Sequence, residues 1–123
     1  MLQEGNFFTI NNLQTTDAAV NADLEINAKH IIFDGHFPGQ PVVPGVCMMQ
    51  MIKELLEKVT GKQTDLVKAA EMKFLAVIDP GKNSLVHAEL KYTPTENGNL
   101  TVTASLSSAE LTHFKFKGQF VFR

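Results

Sequence analysis

The chain is short of several things, and each shortage removes a class of protein. It has a single cysteine, Cys47, which excludes an internal disulfide and favours a reducing compartment. Ten lysines are joined by only one arginine, Arg123, and they are scattered among 13 acidic residues for a formal net charge of −2. No basic block is present, so nucleic acid is not the expected partner. The longest apolar run, Val46 to Ile52, is interrupted by Gln50 and is far too short to span a bilayer. Met1 to Ile10 contains Glu4 and no basic start followed by an apolar core, so no signal peptide is expected. Internal repeats, a glycine-rich phosphate loop, a zinc pattern and a Ser-His-Asp order are missing as well. His30, His87 and His113 lack metal-ligand spacing with one another or with acids, and they read as strand or loop residues. The expectation is a soluble, cytoplasmic protein with no membrane association, no metal and no cofactor.

What remains is an ordinary apolar fraction of 44% in 123 residues, enough for one domain over residues 1–123 with its own core. Phe7 to Ile10 has strand character, and Val20, Ala22, Leu24 and Ile26 alternate with polar residues. Lys29 to Pro44 reads as a loop, with Gly35, Pro38, Gly39, Pro41 and Pro44. Gly45 to Val59 is the one long helix, opened at Pro44 and ended at Gly61. Its first half is apolar on every side, which implies a helix surrounded by other structure; Lys53, Glu54, Glu57 and Lys58 make the second half amphipathic. Strands follow at Val67 to Ile78, Leu85 to Tyr92, Leu100 to Leu106 and Thr112 to Phe122, with an Asn97-Gly98 hairpin signal between two of them. In the last strand Phe114, Phe116, Phe120 and Phe122 share one face, opposite His113, Lys115, Lys117 and Gln119. One buried helix followed by an antiparallel meander predicts an α+β fold, a sheet curled around a single helix.

The chemistry is concentrated where loop meets helix, in His36-Phe37-Pro38-Gly39-Gln40-Pro41-Val42-Val43-Pro44-Gly45. A helix entered through Pro44-Gly45 presents unsatisfied N–H groups and the positive end of its dipole. Glycine there lets a ligand carbonyl come close to the backbone. His36, a few residues upstream, titrates near neutrality. A polarised carbonyl beside a base suits chemistry at the carbon alpha to that carbonyl. The residues alone equally allow a turn histidine in a loop braced by prolines.

The order His-Phe-Pro-Gly-x-Pro-x-x-Pro-Gly-Val before an apolar helix resembles the FabZ/FabA family of 3-hydroxyacyl-[acyl carrier protein] dehydratases. Lys73-Phe74-Leu75 with Asp79-Pro80-Gly81, and Phe114 to Gly118, resemble that family's later strands. The likeness runs from about residue 18 to the end, without the His-Arg-Tyr-Pro-type N-terminal segment of longer members. It implies the hot-dog fold and a dimer, either a homodimer or one with a related subunit, with an acyl tunnel at the interface. It also implies dehydration of a 3-hydroxyacyl thioester carried on acyl carrier protein or coenzyme A, in fatty-acid-type or polyene-type synthesis. The family's catalytic histidine falls on His36 and its carbonyl-polarising amide on Gly45. Its acid, a Glu or Asp contributed by the opposite subunit, falls on Gln50. Phe37, Pro44, Val46, Met49 and Phe74 fall where the acyl chain would bind.

Glutamine hydrogen-bonds but does not change protonation state near neutral pH, and a positioned general acid contributes about 10²–10⁴-fold. Three readings follow. His36 acts alone, with Gln50 orienting the leaving hydroxyl or a water; or a related subunit supplies the acid; or the pocket binds or hydrolyses a thioester without dehydrating it. Glu54, one turn beyond Gln50, is a possible displaced acid, though its place where the helix turns amphipathic favours a solvated surface residue. An amide in an apolar helix also has a purely structural use, since buried polar groups need partners. Cys47 reads as a small buried thiol, and Met48, Met49, Met51 and Met72 as core or tunnel lining. Lys73, Lys82, Lys115 and Lys117 are candidates for docking an acidic carrier protein.

Overall fold

A computed structural model describes residues 5–30, 32–35, 42–109 and 111–123. His36 and Phe37 lie outside the described residues. Six strands form one antiparallel sheet: β1 (Phe8–Thr16), β2 (Ala19–Ile26), β3 (Thr64–Phe74), β4 (Leu85–Pro94), β5 (Asn99–Ser108) and β6 (Leu111–Phe122), in the order β1-β2-β4-β5-β6-β3. A short turn, α1 (Ile32–Gly35), and one long helix, α2 (Gly45–Thr60), separate β2 from β3. This is the hot-dog fold.

Alternation in the sequence becomes rows across the sheet. Val20 opposes Leu90, which opposes Ala104, which opposes Phe116. The next row runs Ala22, Ala88, Leu106, Phe114 and ends on Phe74 at the edge. All of these except Phe74 are buried, together with Cys47, Met48, Met51, Ile52, Leu55 and Leu56 of α2. The expectation that the front of α2 is surrounded is corrected: Cys47, Met48, Met51 and Ile52 are buried on one side, while Gly45, Met49 and Gln50 are half-buried and Val46 is exposed, because within one chain the sheet covers a single side of the helix.

The helix ends follow the local chemistry. Pro44 is the N-cap residue, extended at φ −61° and ψ 147°, and Gly61 ends the helix in the left-handed region at φ 72°. The Gly61 N–H donates to Glu57 O at 2.8 Å, a closure that a residue without a Cβ makes cheaply.

Strand β3 departs from the pattern. It is one of the two edges of the sheet, the other being β1, and nearly every residue along it is exposed, including Leu66, Val67, Met72 and Phe74. It also starts earlier and stops earlier than its apolar content predicts, because Leu75 and Ala76 turn their N–H groups onto the His113 carbonyl, at 2.9 and 3.3 Å. Register shifts interrupt its pairing with β6 between Leu66 and Lys68 and between Ala69 and Glu71. Opposite them sits Gly118, where a Cβ would overlap the Lys68 carbonyl oxygen.

Two further expectations are corrected. The stretch expected to be loop from Lys29 contains α1, with Phe33 buried in the core. His113 alternates outward with Lys115 and Lys117 in the sequence, yet it is 1% exposed, because residues 75–76 fold across it.

Candidate functional site

The entrance of α2 sets the site. Intrahelical bonding starts with the Cys47 and Met48 N–H groups, both donating to Pro44 O at 3.0 and 3.2 Å. The Gly45 and Val46 amides therefore precede the ladder, at the positive end of the helix. A cavity of about 410 Å³ opens there, lined by Val43, Gly45, Met48, Phe74, Ala76 and Val77. Its lining side chains are all apolar and its polar surface is backbone, including that of Gly45 at the helix mouth, a composition suited to an apolar chain carrying a carbonyl.

Phe74 lies directly over Gly45. A Cβ built on Gly45 would stand 2.8 Å from Phe74 Cε1, so this packing requires glycine. The Phe74 ring rests on Phe114, with centroids 5.0 Å apart, while over half of its own surface stays exposed.

Of the residues singled out from the sequence, Gly45 and Phe74 share this cavity. Pro44 and Met49 are half-buried and Val46 is 76% exposed, and none of the three lines it. Gln50 does not line it either. At about 100° per residue, five residues of helix turn Gln50 roughly 140° away from Gly45. One chain thus presents Gly45 and Gln50 to different sides of α2.

On that other side Gln50 has a companion. Its Nε2–H donates to Glu54 Oε2 at 2.9 Å, and Glu54 is only 5% exposed. The expectation of a solvated surface glutamate is corrected: Glu54 is buried with the apolar residues of α2. Spacing of i and i+4 was a readable signal for the pair, since such residues stack on one helix face. Burial was not readable, because a charged residue next to Lys53 reads as the start of the polar half.

Cys47 and Met51 are buried core, as expected, and Met48 is both core and cavity wall, whereas Met72 is exposed on the edge strand. A second feature was missed from the sequence. Ser108 Oγ lies 2.5 Å from His113 Nε2, and His113 Nδ1 lies 3.3 Å from Ala76 O. With Ser108 donating to Nε2, the Nδ1–H donates to the carbonyl, and the imidazole clips the β5–β6 hairpin to the cavity wall.

The lysines of β3 and β6 are not all free for docking. Lys73 Nζ pairs with Glu71 at 2.8 Å. That hydrogen bond, with the charges of Lys73, Lys115 and Lys117, holds the Glu71 carboxyl below its ordinary value. Among the described residues, no group of three or more His, Cys, Asp and Glu side chains is arranged to hold a metal. No helix among them is long and apolar enough to cross a membrane.

Comparison with known proteins places this geometry. The family model described as ApeI-like, ApeI dehydratase, matches residues 12–119. A 3-hydroxyacyl-[acyl-carrier-protein] dehydratase FabZ of Levilactobacillus brevis is 30% identical over 106 residues, covering 76% of this chain and 72% of that protein. The FabZ of Rickettsia conorii is 27% identical over 92 residues, covering 68% of this chain and 63% of the relative, so the match spans a little under two thirds of that protein. Among solved structures, the dehydratase heterocomplex ApeI:P from Xenorhabdus doucetiae superposes with a TM-score of 0.64 at 22% identity, covering 88% of this chain and 91% of that one, a likeness of fold. The chain belongs to the ApeI-like dehydratase family, and its sheet and α2 have the hot-dog fold.

Proposed function

We propose that the protein is a 3-hydroxyacyl thioester dehydratase, acting as a single hot-dog domain on an acyl chain carried by acyl carrier protein or coenzyme A. The observation that carries this reading is the Gly45 amide at the mouth of α2, opening onto an apolar cavity directly after the His36-to-Pro44 motif. An oriented N–H at that point polarises a thioester carbonyl and acidifies the carbon beside it. His36 takes the α proton and returns it to the leaving hydroxyl. Phe74 shapes the entrance for the acyl chain; Pro44, Val46 and Met49 do not line this cavity, and their role as acyl contacts, like that of Phe37, rests on the family resemblance.

The site is composite. Because Gly45 and Gln50 face different sides of one helix, a substrate held on Gly45 meets the Gln50 of a second chain. The uncovered apolar edge at β3 is where that chain would pair, since an exposed strand with Leu66, Val67 and Phe74 is a template for another sheet. The buried Cys47 thiol fits a reducing cytoplasm. Exposed lysines of β6 are the candidate contact for an acidic carrier protein.

The glutamine at the position of the family's acid favours a second reading, in which the partner chain is a related subunit bearing a carboxylate. The likeness to a dehydratase heterocomplex points the same way. The test is hydration of a trans-2-enoyl thioester by wild type and by His36→Ala. Turnover lost in the variant supports the enzyme. No turnover by wild type alone, gained on mixing with a carboxylate-bearing relative, establishes the heteromeric form. Thioester binding without turnover in either setting overturns both.

A further inference from the structure

We propose that His113 is a positioning residue for the acyl cavity, which it shapes through the segment 75–78; the inference rests on the functional reading above. Residues 75–79 belong to no strand or helix, yet Leu75, Ala76 and Val77 form one wall of the cavity at Gly45. A wall outside the ladder needs other anchors. At its far end the Ile78 carbonyl accepts the Val43 N–H at 2.9 Å, just ahead of α2. At its near end the anchors come from His113. The His113 carbonyl accepts the Leu75 and Ala76 N–H groups, and the ring Nδ1 lies 3.3 Å from Ala76 O.

An irregularity in the sheet puts the ring there. Leu106 opposes Phe114 but Ser107 opposes Thr112, so His113 is the extra residue of a β-bulge on β6. A bulge re-aims a side chain that regular pairing would send elsewhere. The imidazole is 1% exposed, and no step of the proposed reaction uses it. Ala76 O only accepts, so Nδ1 carries the hydrogen and Nε2 is left to accept the Ser108 hydroxyl at 2.5 Å. Ser108 thereby fixes the tautomer and the plane of the ring. An apolar side chain at 113 would fill the space but leave the near end of the wall with main-chain bonds alone. The wall grips the acyl chain beyond the thioester, whereas the Gly45 amide is held by α2 itself. Releasing Ala76 therefore loosens chain binding and not the carbonyl contact.

The experiment measures binding of butyryl- and decanoyl-coenzyme A by calorimetry, and hydration of the matching trans-2-enoyl thioesters, for wild type, His113→Leu, His113→Asn and Ser108→Ala. His113→Leu is expected to lower decanoyl affinity about 10-fold or more and butyryl affinity by less than about twofold, since apolar contacts worth a methylene or two carry that much discrimination. In hydration it is expected to raise KM for the longer chain with kcat nearly unchanged, the mark of lost chain binding. Asparagine carries an N–H donor at the place of Nδ1, so His113→Asn is expected to recover most of the preference. Ser108→Ala is expected to lose part of it. An unchanged ratio of the two affinities in His113→Leu overturns the inference and leaves the dehydratase reading intact. So does an equal loss for both thioesters with a fall in melting temperature, which marks a structural role, and so does His113→Asn behaving as His113→Leu. Wild type that binds both thioesters but hydrates neither enoyl thioester, alone or with a carboxylate-bearing relative, overturns the dehydratase reading. The affinity ratio then still decides the inference. Wild type that binds neither overturns both.

Discussion

Glu57 joins the far end of α2 to the first residue of β3. Its Oε2 accepts the Thr64 N–H at 2.6 Å and the Thr64 hydroxyl at 3.1 Å, and Thr64 is fully buried. One carboxylate thus satisfies two donors that burial removes from water. Glu57→Ala leaves both without this acceptor, and a loss of about 1–3 kcal/mol in unfolding free energy is expected. Urea denaturation measures it, with Glu57→Gln, which retains an acceptor oxygen, losing less.

Gly45 and Phe74 make a steric test of the cavity. Gly45→Ala places a methyl group against the Phe74 ring at 2.8 Å, so ring or helix must shift. The expected result is a fall in kcat/KM of about 10-fold or more for an enoyl thioester, from displacement of the carbonyl relative to the amide. Combining Gly45→Ala with Phe74→Leu relieves the overlap and is expected to restore part of the rate. If the double variant is the sum of two losses, the ring is not what penalises the methyl group.

The exposed edge predicts an assembly. Val67 is 52% exposed beside Leu66 on an edge strand that pairs with β6 on one side only. Val67→Lys is expected to weaken self-association at least 10-fold by analytical ultracentrifugation, because charge on an edge strand opposes pairing. The monomer it releases is expected to be folded by circular dichroism and without activity, since Gly45 and Gln50 then lack their opposite halves.

Acid sensitivity has a local source on the outer face of β2. Asp23 accepts Asn12 Nδ2 at 2.9 Å and faces His87 Nδ1 at 3.2 Å, and these contacts hold its carboxyl below the ordinary value of 3.8. The depressed value means the folded state favours the carboxylate. The resulting stabilisation is complete above the unfolded pKa and disappears as pH falls through the folded one. Wild type is therefore expected to lose melting temperature more steeply than Asp23→Asn below about pH 4. The group is near the surface, so the difference stays under about 1 kcal/mol and shrinks with added salt. Parallel curves for the two proteins would remove Asp23 from the acid transition.

Much of the fold, and less of the candidate site, was legible in the sequence. Pro44 and Gly61 bound the helix as local chain chemistry dictates, and the alternation in β2, β4, β5 and β6 reappears as rows across the sheet. The cavity at Gly45 was legible as a helix mouth and Phe74 as its neighbour only by resemblance. Glu54 and His113 were misread for one reason: each is a polar residue in line with lysines in the sequence pattern, which carries no information on what packs over it in the fold. For His113 the covering segment is residues 75–76, nearly forty positions away.

The sequence by itself determined the long helix and its two ends, the inner faces of four strands and the family motif from His36 to Gly45. These depend on periodicity, capping and local spacing, which are properties of neighbouring residues. Only the tertiary structure decided that Glu54 is buried on Gln50, that Phe74 covers Gly45, and that β3 stands uncovered at the edge. Those relationships arise when a sheet closes on a helix, because the depth of a side chain is set by what packs over it and not by the residues beside it.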